Sequence, residues 1–170
     1  MRIRLLIIIL LLWLVEADVF QIPQLHKHLI VSGNVEMTDT DTKGRIYFGI
    51  STDNDWLDLS DFHKYLTIKP TDFQQKFERG QVPKLTSWTY SSGDLINPYY
   101  FDEIEKLIET LEPHKQEFRG LKAAFHDISF HLSVVIFLGD STPGLHFSSR
   151  ALKFLNYLDA EIDCDIYNEK

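Results

Sequence analysis

No stretch constrains this chain as tightly as Asp127 to Leu138, which reads DISFHLSVVIFL. Ile128, Phe130, Leu132, Val134, Ile136 and Leu138 recur with period two, so they share one face of a β-strand. The opposite face carries Ser129, His131 and Ser133, then Val135 and Phe137. A strand that begins half-polar and ends apolar on both sides belongs inside a sheet, with its second half covered on both faces. The residues after it read as partners. Asp140 to Gly144 is a turn, Leu145 to Ser148 is short and extended, Arg150 to Leu158 is helical, and Glu161 to Asn168 alternates again.

Upstream, Arg45 to Thr52 (RIYFGIST) is the first strand, with Ile46, Phe48 and Ile50 on one face. Gly49 inside it marks a bulge or a close approach. Leu59, Phe62 and Leu66 recur at helical spacing, which predicts a short helix over Asp58 to Leu66 capped by Asp58 or Ser60. Thr71 to Leu85 carries no regular pattern. Thr86 to Ser91 (TSWTYS) is β-rich, and Ser92-Gly93-Asp94 reads as loop. Phe101 to Phe125 is helical in two pieces, because Pro113 removes a backbone donor and clashes with the preceding turn. Strands separated by irregular connections and helices predict a single α+β domain over residues 43–168. Its sheet is mixed or antiparallel, of four to five strands, with helices mainly on one face.

The chain has 170 residues and a net charge of −8. A nucleic-acid binder needs a clustered basic footprint, and no run of Lys and Arg occurs, so nucleic acid is excluded as a partner. An acidic surface suits solubility, and it also suits a basic protein partner. The lone cysteine, Cys164, alternates with Ile162 and Ile166 and reads as a small buried hydrophobe on the last strand.

Residues 1–36 form a leader outside this pattern. Arg2 and Arg4 precede the apolar run Leu5 to Val15, which falls short of the roughly 20 residues needed to span a bilayer. Two origins fit it. One is a signal peptide cleaved after Ala17, which exports the protein. The other is upstream-translated sequence, with Met37 as the true start and a cytoplasmic product.

Few residues stand at spacings that carry chemistry. Seven histidines occur, and none stands at a recognised metal spacing with Cys, Asp or Glu. No glycine-rich phosphate loop and no nucleophile elbow is present. Asp163 and Asp165 read as the solvated face of the last strand, and Asp102, Glu103 and Glu105 as acids favouring a helix start. Two candidate sites remain. Ser129, His131 and Ser133 form a polar strip that suits a small ligand, with Arg79 or Arg150 as an accessory cation. Trp56, Tyr99 and Tyr100, grouped with Trp88 and Tyr90, are candidate partner-binding aromatics, against core packing as the plainer explanation.

Several pieces in order carry a family resemblance: RIYFGIST, LTIKPT at Leu66 to Thr71, TSWTY after the Gly80 turn, and LEP at Leu111 to Pro113. STPGLHFS at Ser141 to Ser148 and DAEIDCDIY at Asp159 to Tyr167 complete the set. Over Lys43 to Tyr167 the chain resembles a bacterial family known as domain of unknown function 4279. The resemblance implies a small cytoplasmic α+β domain, with no catalytic residue and no cofactor to carry over. Two functional expectations follow. The first is a non-catalytic acidic module that binds a basic protein, in the manner of an immunity protein or antitoxin. The alternative is an enzyme or small-ligand binder using the His131 strip. The start site is directly testable: the native protein's intact mass is expected to match a chain beginning at Met37. A mature N-terminus at Asp18 in an extracytoplasmic fraction would establish export instead.

Overall fold

The computed structural model describes residues 41–168, so the leader and its two origins lie outside the described residues. Five strands form one open mixed sheet in the order β2-β3-β1-β4-β5. They are β1 (Lys43–Thr52), β2 (Asp72–Gln74), β3 (Thr86–Ile96), β4 (Ser129–Leu138) and β5 (Glu161–Asn168). All neighbouring pairs are antiparallel except β4 with β5, which are parallel and joined through a helix. The helices are α1 (Leu59–His63), α2 (Tyr100–Leu111), α3 (Lys115–Ala124) and α4 (Ser149–Leu158). The α+β architecture with a mixed sheet is the one the strand pattern predicts.

Burial is one-sided. Ile46, Phe48 and Ile50 of β1 and Phe130, Leu132, Val134 and Ile136 of β4 are all buried, and they point to the same side. The amphipathic stripes of the long helices complete that layer, through Ile104, Ile108 and Leu111 of α2, Phe118 and Leu121 of α3, and Phe154 and Leu155 of α4. Pro113 falls in a 3₁₀ turn, Glu112–His114, between α2 and α3, where its missing N–H costs nothing in hydrogen bonding. In α1 Asp58 caps the start reciprocally: its carboxylate accepts from the Ser60 and Asp61 amides, while Asp61 accepts from the Asp58 amide. That helix closes at Lys64, sooner than the spacing predicts.

Several expectations are corrected. The short strand is Asp72–Gln74, inside the segment that lacks a pattern, and not Leu145 to Ser148. Three residues are too few to show a period, and β2 is held by Phe73, whose ring meets Phe62 edge-on at 5.7 Å. Ser148 instead caps α4, its hydroxyl accepting the Ala151 amide. Ser92-Gly93-Asp94 is not a loop, since β3 runs through it by a bulge opposite Ile46. The Ile46 carbonyl then accepts from the Ser92 and Ser91 hydroxyls at 3.1 and 3.4 Å, which replaces ladder bonding lost at the bulge. The middle strand of the sheet is β1, and β4 lies beside it. Val135 and Phe137 of β4 are only half-buried, so its second half is not covered on both faces. Cys164 is exposed, because β5 lies at the sheet's edge and all eight of its residues are exposed.

Gly44 ties the end of β1 to the core. A methyl there would overlap the buried Tyr100 hydroxyl and come within 2.9 Å of the Val135 carbonyl oxygen. Gly44→Ala is therefore expected to destabilise the fold by about 1–3 kcal/mol, the usual range for overpacking. Adding Tyr100→Phe should recover part of that loss in a double-mutant cycle read by denaturant unfolding. Equal midpoints for wild type and Gly44→Ala would show that this end of β1 is loosely packed.

Candidate functional site

The sheet's other face carries the odd-numbered residues of β1 and their cross-strand partners, and the register sorts them into rows. Gln74, Ser87, Ser51 and Ser129 form the first row, and Asp72, Thr89, Gly49, His131 and Glu161 the second. Ser91, Tyr47, Ser133 and Asp163 come next, then Asp94, Arg45, Val135 and Asp165. Ile96, Lys43, Phe137 and Tyr167 close the series, with Phe137 and Tyr167 stacked at 5.2 Å. The face thus grades from hydroxyls at one end to aromatic and aliphatic surface at the other. Two shallow depressions of about 510 and 540 Å³ lie on it and share Arg45, Tyr47 and Asp94. Arg45 Nε donates to Asp94 Oδ1 at 3.1 Å between them, an exposed pair of small energetic weight.

His131 lines the first depression because Gly49 lacks a side chain. The Nε2 edge of the imidazole fills the space a Cβ on Gly49 would take. Tyr47 meets the ring edge-on, with centroids 6.1 Å apart. Burial holds His131 below its ordinary pKa of 6.5, and the Asp163 and Glu161 carboxylates of β5 only partly oppose this. The ring is neutral at pH 7, able both to donate and to accept a hydrogen bond.

The sequence-derived strip does not act as one unit. The Ser129 hydroxyl is committed to Ser51 at 2.9 Å, and Ser133 is buried at 3% exposure. Of the three, His131 alone lines the depression. Arg150 pairs with Glu112, and Arg79 lies near Gln74; the cation that lines the same depression as His131 is Arg45, two rows along the sheet. Arg45 and Tyr47 were missed, yet their alternation with Ile46 and Phe48 in RIYFGIST was the signal for them. The aromatic group is also dispersed. Tyr100 is fully buried, its hydroxyl donating to the Lys43 carbonyl at 3.4 Å, so it is a core residue and not a partner-binding one. Trp88 is buried too, while Trp56 and Tyr99 are 87% and 70% exposed. Those two follow opposite ends of the sheet and form no common patch, since Trp56 comes after the end of β1 and Tyr99 lies near its start. Among the described residues no three His, Cys, Asp or Glu side chains gather to hold a metal ion, and no helix is long and apolar enough to cross a membrane.

A family model described as Domain of unknown function (DUF4279) matches residues 42–169. The chain belongs to this family. No curated protein and no solved structure matches it. The match spans the whole sheet, from the first residue before β1 to the end of β5.

In this DUF4279 domain the two sheet edges differ. The β2 edge is three residues long, whereas β5 offers eight. On the helix side of β5 stand Ile162, Cys164 and Ile166, uncovered because the helices pack over β1 and β4. On the open side stand Glu161, Asp163 and Asp165. Partial loss of water at the Cys164 sulfur, with Asp163 and Asp165 on either side, raises its thiol pKa, which leaves it a poor nucleophile at neutral pH.

The depressed His131 pKa fixes a sign. Below 6.5 the unfolded chain binds a proton that the folded imidazole resists, so this contribution is full above about pH 6.5 and fades as pH falls through it. Urea unfolding between pH 8 and pH 5 should show stability dropping below about pH 6.5, and His131→Gln should flatten that part of the profile. Parallel profiles for the two proteins would place the imidazole in water.

Proposed function

We propose that this domain is a non-catalytic protein-binding module whose partner presents a basic surface, as an immunity protein or antitoxin covers a basic toxin or enzyme. The observation that supports it is β5, an eight-residue edge strand exposed along its length. Ile162, Ile166 and Tyr167 are 40%, 59% and 48% exposed, an apolar cost that a docked partner would remove. Glu161, Asp163 and Asp165 supply charge that steers a basic surface and sets its register. The net charge of −8 extends that attraction beyond contact distance, within the limit set by salt screening.

A second reading rests on the depression at His131, whose neutral ring, Tyr47 and flanking hydroxyls suit a small polar ligand. The two separate in one experiment. Capture from a host lysate is expected to retain a basic protein at low salt and release it at high salt. Asp163→Lys with Asp165→Lys should abolish that retention while leaving the unfolding midpoint near wild type. A small molecule retained by wild type and lost from His131→Ala, with no protein captured, would reverse the conclusion.

A further inference from the structure

The edge of β5 has a geometry that selects its occupant. Among the described residues β5 pairs only with β4, and a strand at an edge presents a row of backbone N–H and C=O groups on its outer side. Its side chains alternate strictly: Glu161, Asp163 and Asp165 toward the open face, Ile162, Cys164 and Ile166 toward the helix face. A strand added here gains main-chain hydrogen bonds along the edge and meets acids on one face and apolar groups on the other.

A second copy of this chain is the first occupant to weigh, and charge argues against it. Side-chain period is two, so any register that joins the two apolar faces also joins the two acidic ones. Asp163 and Asp165 would then stand against their own counterparts, and like charges directly across a pair are destabilising. The same acids favour a strand that carries Lys or Arg at every second position. Apolar residues between those cations would cover Ile162 and Ile166, the two exposed aliphatic side chains of β5.

We infer that the domain takes up an extended segment of its partner as a sixth strand beside β5, the segment alternating Lys or Arg with apolar residues. Its cations face Glu161, Asp163 and Asp165, and its apolar residues extend the helix-side layer over Ile162, Cys164 and Ile166. This rests on the protein-binding reading and adds to it the mode of docking and the chemistry of the segment.

The probe is an amidated eight-residue peptide alternating Lys and Val, with fluorescein on its N-terminus, followed by fluorescence anisotropy with the full chain. Two controls accompany it. One has the same composition with the four lysines grouped, and the other is methylated on alternate backbone nitrogens. The alternating peptide is expected to bind and to slow amide exchange in β5. Affinity should fall roughly tenfold for Asp163→Asn with Asp165→Asn, the scale of two cross-strand charge pairs. It should fall at least as far for the grouped and methylated peptides. Equal binding of all three peptides would mean diffuse charge attraction and overturn strand addition. A dimer of the full chain that Ile166→Lys dissociates would give the edge to a second copy and overturn it as well. Should the alternating peptide fail while the lysate partner is still lost on charge reversal at Asp163 and Asp165, strand addition falls and protein binding stands. Failure of both experiments removes both.

Discussion

Phe48 holds this domain together. Its ring lies 5.3 Å from Phe118 of α3, 5.8 Å from Phe130 of β4 and 6.0 Å from Phe154 of α4. One side chain of the middle strand thus fixes two helices and a neighbouring strand at once. Aromatic pairs in tilted and offset geometry add to the energy of burying their area. Trp88 of β3 reaches the same cluster through Phe118, at 6.0 Å, so three adjacent strands share one contact layer. That layer covers the helix side of β1, of β4 and of the start of β3.

The same concentration leaves the rest of the sheet bare. Helices that pack over β1 and β4 do not extend over β5, so Ile162 and Ile166 have core-type chemistry without a core around them. The face opposite the helices keeps its row order but has only shallow depressions, with His131 settled over Gly49 as its best-formed feature. Both exposed regions meet at β5, whose acids line the open face beside His131 and perturb its ionisation. A partner docked along β5 would therefore change the surroundings of the imidazole as well.

Membership of the DUF4279 family assigns the chain to a group without conferring an activity; what the domain can bind depends on the geometry of its sheet. The candidate site was legible in part. His131 stands on the polar half of β4 in the alternation of DISFHLSVVIFL, and RIYFGIST placed Gly49 on the same side of its own strand as Arg45 and Tyr47. That these two strands are neighbours, with Gly49 opposite His131, is a matter of register between residues far apart in the chain.

Local periodicity, turn chemistry and proline placement by themselves determined which segments became β1, β4, β5 and the long helices, and which side chains shared a face. Those properties act over a few residues, so a single chain states them openly. The tertiary structure decided the rest. The alternation in EIDCDIYN is the same whether the strand lies at the centre or the edge of a sheet, and only its neighbours determined that Cys164 would be exposed. Tyr100 is fully buried and Tyr99, next to it, is exposed, because α2 turns one toward Gly44 and leaves the other outside. Burial depends on what packs against a residue, and that partner lies elsewhere in the chain.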